Sequence, residues 1–214
     1  MIILPDSWKK KWQGQDVFEQ LFAIQGDEYR NMDGRRTLRF DMMGRSYFAK
    51  LYRGIGWQRI FKSLLSLRKP PVLCARNEWL AIQKLTDLGV ATMTTIGYGT
   101  RGVSPASKQS FLITEDLQNT ESLEDFCRHW PEKPPKPALK RALIKKIAQV
   151  SRTLHDNGIN HRDYYLCHFL LDISAGKDQL DPSSLTPHLI DLHRVQFRSN
   201  VPLRWRVKDL SSLY

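Results

Sequence analysis

The sequence lacks any long apolar run: no stretch of its 214 residues approaches the length that a membrane-spanning helix needs. It also lacks the opening pattern of a secretory signal, because Pro5 and Asp6 directly follow Met1–Leu4. Cysteine is scarce, and an odd set of three does not make a disulfide framework. Internal repeats and low-complexity tracts are missing as well. We therefore expect a reduced, cytoplasmic protein, with attachment to a membrane surface left open.

Acidic residues are few compared with basic ones. The chain has 22 Asp and Glu against 33 Lys and Arg, and its net charge is +11. Such an excess favours anionic partners, namely phosphates, nucleic acid, an anionic membrane surface or an acidic protein. We expect no nucleic-acid binding, because no aromatic platform or reading helix stands out. The length suits one domain or two small lobes.

Strand and turn signals dominate the first half of the chain. The segments RRTLRFDM and SYFAKLYR, joined by a turn at Gly44, predict a hairpin. A strand near Asp27–Met32 extends this hairpin to a three-stranded meander that ends at Lys50. A helix is predicted over about Ala75–Leu88 and an apolar strand over Ser110–Leu117.

A basic amphipathic helix is predicted to begin near Trp57 and to stop at Pro70 and Pro71. Its apolar side chains recur at helical spacing: Trp57, Ile60, Phe61, Leu64 and Leu65. Two interpretations of this helix stay open. Its apolar face packs on the body of the protein, or the helix lies on anionic lipid or on a partner.

The second half of the chain reads mainly as helix. Ser122 is the predicted cap of a short helix, and a long helix begins at Pro137 and ends at Asn157-Gly158. Its predicted core seam consists of Leu139, Leu143, Ile147, Val150 and Leu154. The segments HFLLD and HLIDLHR are predicted to be strands.

The stretch INHRDYYLCHFLLD (Ile159–Asp172) places charged side chains inside an apolar run, where burial costs several kcal/mol unless they are paired or hydrated. An HRD triplet followed by four residues and a metal-binding side chain is the layout of a kinase catalytic loop. Phosphoryl transfer needs a carboxylate that accepts the proton of the attacking hydroxyl, and Asp163 fits that role. His168 stands where the usual pattern has the metal-binding Asn, although Mg²⁺ accepts nitrogen less readily than oxygen.

Three further residues occur in the order that kinases require. Lys50 in YFAK matches the lysine of the third strand in VAIK motifs, and Glu78 lies on the next predicted helix, where it can pair with Lys50. Asp191 follows an apolar strand, as the metal-binding Asp of DFG does, but Leu192-His193 replaces Phe-Gly.

These motifs belong to a longer resemblance. The sequence resembles the bacterial lipopolysaccharide core kinases, specifically the heptose(I) kinases of the Kdo/WaaP family. The matching stretches run from about Gly34 to Leu210 and are GRRTLRF, FAKLYRGIGWQRIFK, ARNEWLAI, FLITEDL, SLEDFCR, NHRDYYLCHFLL, IDLHR and RWRVKDL. The His in place of Asn belongs to this family's pattern.

The resemblance implies an α+β, protein-kinase-like fold of two lobes. Residues 1–117 would form a strand-rich N-lobe and residues 118–214 a helical C-lobe. The helical pattern continues through WRVKDLSSLY, which favours an incomplete C-lobe. Asp209 in this segment matches the acid that, in kinases, braces the catalytic loop from a following helix.

The resemblance also implies ATP and Mg²⁺ as cofactors and transfer of the γ-phosphoryl group to a hydroxyl of the first inner-core heptose. Lys50, positioned by Glu78, would hold the α- and β-phosphates. Asp191, with His168, would bind Mg²⁺, and Asp163 would deprotonate the acceptor. The expected partners are the core glycolipid and the anionic inner face of the inner membrane, and the positive charge favours an acidic protein partner.

The nucleotide contacts are less specific, because the chain has no G-x-G-x-x-G loop. Arg35 and Arg36 beside Gly34 could approach phosphates by charge, and a solvated turn is the alternative. By analogy with kinases, backbone groups of Glu115 and Leu117 are expected to contact adenine.

Two other functions stay open. One is a kinase of another acceptor, such as the Kdo sugar or a protein Tyr or Ser. The other is a pseudokinase that binds anionic lipid or an acidic partner, which the His168 substitution and the missing glycine loop favour. Retention of Lys50, Asp163 and Asp191 opposes the pseudokinase.

Overall fold

The computed structural model describes residues 1–32, 34–65 and 74–213. Contacts within the chain divide it into two units: a first unit of Met1–Leu80 with Thr94–Asp116, and a second unit of Ala81–Met93 with Leu117–Tyr214. The division after Asp116 lies beside the predicted lobe boundary, while Ala81–Met93 groups with the second unit. The predicted helix stop at Pro70 and Pro71 lies outside the described residues.

The described chain contains both helices and strands. The helices are α1 (Asp6–Lys11), α2 (Val17–Ala23), α3 (Trp57–Leu65), α4 (Arg76–Asp87), α5 (Leu123–Cys127), α6 (Pro137–Asp156) and α7 (Leu203–Ser211). The strands are β1 (Ile2–Ile3), β2 (Asp27–Met32), β3 (Arg35–Met42), β4 (Arg45–Tyr52), β5 (Thr95–Arg101), β6 (Gln109–Glu115), β7 (Thr120–Ser122), β8 (Ile159–Asn160), β9 (Phe169–Asp172), β10 (Pro187–Leu189) and β11 (Gln196–Phe197).

An antiparallel sheet organises the first unit. Within the described residues its strand order is β1-β5-β6-β4-β3-β2. The predicted β3–β4 hairpin is present, and Met43 and Gly44 at its turn have φ of 52° and 74°. Two successive positive φ values are typical of a type I′ turn, whose twist matches that of the strands. Strand β4 runs to Tyr52, within the predicted segment SYFAKLYR and beyond the Lys50 at which the meander was expected to end, and β1, β5 and β6 extend the sheet.

The two faces of this sheet have different roles. One face is apolar: Leu38, Phe40 and Leu51 pack with Trp8 and Phe18 in a core cluster that α1 and α2 cover. Side chains alternate between faces along a strand. The odd-numbered residues of β3 and the even-numbered residues of β4 therefore lie on the opposite face, which is the face that carries Lys50.

Helix α6 supplies the core of the second unit. Leu143, Ile147, Val150 and Leu154 of the predicted seam are buried. Each such side chain stabilises the fold by about 1.5–3 kcal/mol relative to its exposed state. The helix ends before Gly158, whose φ is +72°, and a Cβ added at this residue would lie 1.9 Å from the Arg198 carbonyl oxygen. Only glycine fits there, which lets β8 pair with β11.

The segment that carries Asp191 differs from its prediction as a strand. Strand β10 ends at Leu189, Asp191 has a left-handed φ of 56°, and Leu192–Arg194 forms a 3₁₀ turn. A left-handed residue cannot continue a strand, so the chain turns at Asp191. Strands β10, β9 and β7 form a small antiparallel sheet.

Three apolar side chains of α3 are exposed. Trp57, Phe61 and Leu65 expose 51%, 56% and 86% of their surface, and the rings of Trp57 and Phe61 lie 5.7 Å apart. Of the two open interpretations, these three residues favour a helix that is free to contact lipid or a partner. Across the described residues, no helix combines the length and apolar character needed to cross a bilayer.

Candidate active site

A buried ion pair joins Lys50 to Glu78 in the first unit. The Lys50 Nζ lies 2.5 Å from Oε1 of Glu78, and the side chains are 15% and 1% exposed. The second carboxylate oxygen of Glu78 is buried and has no hydrogen-bond partner among the described residues. Because Glu78 has so little contact with solvent, its carboxylate depends on the ammonium group of Lys50 for stabilisation. The ion pair therefore holds the Lys50 side chain in one orientation.

Two contacts fix the helix that carries Glu78. Trp79, the next residue, stacks on Tyr98 of β5 with ring centroids 4.2 Å apart and planes 3° apart. The amide of Ala75, just before α4, donates to Ser110 Oγ on β6 at 2.9 Å. Helix α4 therefore starts at a defined place beside the sheet, and its first turn delivers Glu78 to Lys50.

The two predicted phosphate-binding arginines lie on opposite faces of β3. Arg36 Nε lies 2.5 Å from Glu28, and its Nη1 donates to the carbonyl of Ile24 at 2.7 Å, so Arg36 ties β3 to β2 and α2. Arg35 shares the face of Lys50 and its guanidinium carbon lies 5.5 Å from the centre of the Tyr52 ring. The structure does not bring the two guanidinium groups together.

Backbone groups of Glu115 and Leu117, which are predicted to contact adenine, already form hydrogen bonds within the protein. The Glu115 amide donates to the Thr94 carbonyl at 3.0 Å, within the first unit. The Leu117 carbonyl accepts from Thr120 Oγ1 at 2.7 Å, within the second unit. Contacts of Glu115 and Leu117 with adenine stay a prediction, and the Glu115 amide already has an acceptor.

Asp209 of α7 braces the HRD loop. Its fully buried carboxylate accepts from the amides of His161 and Arg162, each at 2.9 Å, and contacts His155 Nε2 at 3.2 Å. Burial would raise the pKa of Asp209, but the His155 side chain and the two amides outweigh it and hold the pKa below its usual value. The Arg162 carbonyl accepts from Lys208 Nζ, and Arg162 itself has a strained φ of 75°. The loop is thus clamped through its backbone.

His161 serves as scaffold for the loop. It is fully buried, and burial lowers its pKa to about 4, so the ring is neutral and Nε2–H donates to the Ile190 carbonyl at 3.1 Å. Tyr164 is also buried and shares a hydrogen bond of 3.0 Å with Ser151 of α6. The polar groups that break the apolar run therefore connect the loop to α6, α7 and the Asp191 segment.

Asp163 lies in this clamped loop and bonds to an arginine. Arg194 Nη1 donates to both carboxylate oxygens of Asp163, each at 2.9 Å. The Asp163 side chain is 14% exposed, so it keeps limited access to solvent. A carboxylate in this position can accept a hydroxyl proton, because each oxygen retains another lone pair.

His168 and Asp191 face each other next to the loop. His168 Nδ1–H donates to the carbonyl of Asp163 at 2.6 Å, and its Nε2 lies 3.8 Å from Oδ2 of Asp191. The other Asp191 oxygen lies 2.7 Å from His193 Nδ1. No group of three or more metal-ligating side chains exists in the described part of the chain. The pair fits a Mg²⁺ that takes few protein ligands and completes its shell with phosphate oxygens and water.

The sequence reasoning missed Arg194 as a partner of Asp163 and His193 as a partner of Asp191. In the sequence, Arg194 is one of several arginines that follow Asp191, and no motif pairs it with Asp163. His193 and Arg194 both lie in the 3₁₀ turn that replaces the predicted strand. The LHR segment itself carries no Gly, Pro, Asn or Asp, and the turn residue that precedes it, Asp191, was interpreted as part of a strand.

The sequence matches known proteins along its length. The family model described as "Lipopolysaccharide kinase (Kdo/WaaP) family" matches residues 19–214. A Pseudomonas aeruginosa protein named "Lipopolysaccharide core heptose(I) kinase WaaP" is 49% identical over 100% of this chain and 78% of its own length. A protein of the same name from Escherichia coli K12 is 47% identical over 100% of this chain and 79% of its own.

Two solved structures resemble the fold. "WaaP in complex with acyl carrier protein" superposes with a TM-score of 0.81 at 43% identity, covering 100% of this chain and 80% of that one. The Rio2 kinase–ADP/Mg²⁺–phosphoaspartate complex from Chaetomium thermophilum gives a TM-score of 0.53 at 17% identity, covering 92% and 56%. The second likeness concerns the fold alone, and with the first it confirms the predicted kinase-like α+β fold.

Proposed function

Because the chain belongs to the lipopolysaccharide kinase (Kdo/WaaP) family, we propose that it is an ATP-dependent kinase that phosphorylates a hydroxyl of the first inner-core heptose of lipopolysaccharide. The observation that carries this proposal is the identity of almost half of all residues, over the whole chain, with proteins named heptose(I) kinases. The buried Lys50–Glu78 pair and the clamped Asp163 loop support it.

Lys50 holds the nucleotide phosphates in this proposal. Glu78 keeps the ammonium group of Lys50 in place, so little conformational entropy is lost when phosphate oxygens arrive. Arg35 lies on the same face of the sheet and adds positive charge. The contacts of Arg36 support a structural role instead.

Asp163 acts on the acceptor in this proposal. The heptose hydroxyl donates to the carboxylate, which orients the oxygen and takes its proton as the bond to phosphorus forms. The backbone clamp of Asp209 keeps the loop from moving during this step.

Asp191 and His168 would hold Mg²⁺. When bound, the metal neutralises the charge that develops on the phosphate oxygens. Asp191 offers hard carboxylate oxygens, and His168 offers Nε2, the ring nitrogen that is not engaged by the Asp163 carbonyl.

Phosphate transfer from labelled ATP to purified, heptose-containing core lipopolysaccharide tests the function. We expect Mg²⁺-dependent label on the heptose, and no label on a core acceptor that ends at the Kdo sugars. Label on the Kdo-only acceptor would identify a Kdo kinase, and label on added protein alone would identify a protein kinase. ATP binding without transfer to any of the three would favour the pseudokinase.

We also propose that the protein is peripheral at the cytoplasmic face of the inner membrane and that α3 contacts its anionic lipids. Trp57, Phe61 and Leu65 form an exposed stripe spaced by four residues. Residues 42–77 contain no Asp or Glu, so the surrounding sequence is entirely neutral or basic. Exposed aromatics next to basic residues suit the boundary between headgroups and acyl chains.

Co-sedimentation with vesicles tests this contact. The double substitution Trp57→Ala and Phe61→Ala should weaken binding to vesicles with anionic phosphatidylglycerol by about 10-fold or more, because apolar burial is lost. The matched control is Leu203→Ala with Val207→Ala, which removes apolar side chains that are 76% and 55% exposed on α7. Equal loss in both variants, or binding to neutral vesicles as strong as to anionic ones, would contradict the proposal.

An acidic protein is a proposed second partner. A structural relative at 43% identity is titled as a complex with acyl carrier protein, and the net charge of +11 suits an acidic surface. An apolar cavity of about 390 Å³ in the second unit, lined in part by Leu143, Ile147 and Leu210, could receive an apolar group.

A further inference from the structure

The carboxylate of Asp163 is oriented by one side chain. Among the described residues, the hydrogen bonds to its two oxygens both come from Nη1 of Arg194. The pair is only partly exposed, at 14% for Asp163 and 31% for Arg194. Because the same nitrogen contacts both oxygens, the end of the carboxylate is held in place, and the planar NH2 group of the guanidinium favours a carboxylate in its own plane.

The backbone of Arg194 is itself fixed. Leu192, two residues before Arg194, and Val195, the residue after it, are 0% and 3% exposed. The Val195 amide donates to the Leu192 carbonyl at 3.1 Å. Arg194 therefore projects from a short turn that is buried on both sides. The loop of Asp163 is fixed separately by Asp209 and by His168, which bonds to its carbonyl.

We propose that Arg194 is the positioning residue of the catalytic base: it holds the Asp163 carboxylate in the orientation that receives the proton of the acceptor hydroxyl. This inference rests on the proposed kinase function. In the step that it serves, the hydroxyl O–H bond breaks and its proton goes to Asp163. The hydroxyl oxygen forms a bond to the γ-phosphorus of ATP, and the bond between that phosphorus and the departing ADP breaks.

Arginine suits this task better than lysine. The guanidinium is planar and its donors have fixed directions, whereas an ammonium is a point charge on a flexible stem. The fixed turn and the planar group together define where the carboxylate oxygens lie. A lysine at residue 194 keeps the charge but not the direction, so it should restore part of the rate.

The experiment measures heptose phosphorylation for wild type, Arg194→Met and Arg194→Lys, each also combined with Asp163→Ala. We expect Arg194→Met to lower kcat by about 100-fold, the order expected for a misplaced catalytic group, and Arg194→Lys to recover part of that loss. KM for ATP and the melting temperature should stay close to wild type. In the Asp163→Ala background, Arg194→Met should change the residual rate less than about 2-fold, because the group that it positions is gone.

Arg204→Met is the matched control, because Arg204 is exposed and contacts the Trp205 ring. It should retain the wild-type kcat. Equal losses from Arg194→Met with and without Asp163, no loss at all, or a gain in kcat would each overturn the positioning role while the kinase function stands. Absence of transfer by the wild type would overturn the function and this inference together.

Discussion

Replacing Asp163 with Ala should lower kcat for heptose phosphorylation by about 10²- to 10⁴-fold, the range expected for loss of general-base catalysis. The Kd for ATP should stay within about 2-fold of wild type. In the proposed mechanism the Asp163 carboxylate meets the acceptor hydroxyl, whereas Lys50, held by Glu78, contacts the nucleotide. Single-turnover transfer with labelled ATP and calorimetric titration of ATP measure the two quantities separately.

A suitable control is Asp181→Ala, which removes an exposed carboxylate whose hydrogen bonds stay within its own loop, to Ser183. It should transfer phosphate at the wild-type rate. An Asp163→Ala enzyme with full activity would show that another group takes the proton. Equal loss of ATP binding and transfer would instead assign Asp163 to the structure of the nucleotide site.

Replacing Asp209 with Ala should abolish transfer and lower the free energy of unfolding of the second unit by about 3–5 kcal/mol. The substitution leaves the buried amides of His161 and Arg162 without an acceptor, and each unsatisfied group costs about 1–3 kcal/mol. It also releases the strained backbone of Arg162. Urea denaturation followed by circular dichroism measures the change.

The comparison for Asp209 is Asp156→Ala. Asp156 is an exposed carboxylate on α6, with arginine nitrogens at 3.4 Å and 3.9 Å. Exposed pairs of this kind contribute about 0–1 kcal/mol, so this variant should remain close to wild type in stability and activity. An Asp209→Ala protein with the wild-type urea midpoint would mean that the clamp does not stabilise the loop.

Local signals predicted much of the fold. Gly44 marked the β3–β4 turn, and Ser122 was correctly predicted as a cap, because its Oγ accepts from the Asp125 amide at 3.0 Å. The spacing of apolar residues predicted α6. Strand β1 was missed because Ile2–Ile3 pairs with Tyr98 and Gly99, nearly one hundred residues away, and no local pattern records such a pairing.

The motifs predicted the family, and the resemblance to the heptose(I) kinases of the Kdo/WaaP family is confirmed. They did not predict the orientation of individual side chains. Arg35 and Arg36 are adjacent in sequence but lie on opposite faces of a strand, since side chains alternate. The contact of Arg194 with Asp163 spans 31 residues and depends on a turn at Asp191, a residue that was interpreted as part of a strand.

The clamp on the HRD loop also bears on the order in which parts of the chain fold. The acceptor for the His161 amide lies 48 residues further along the chain, and that for the Arg162 amide lies 47 residues further. Chains emerge from the ribosome amino terminus first, so the HRD loop is released well before Asp209. Bringing two segments this far apart in sequence together also costs conformational entropy. The clamp therefore forms only when α7 docks against the HRD loop. A nascent chain that has not yet released Asp209 therefore carries Asp163 in a loop without its clamp.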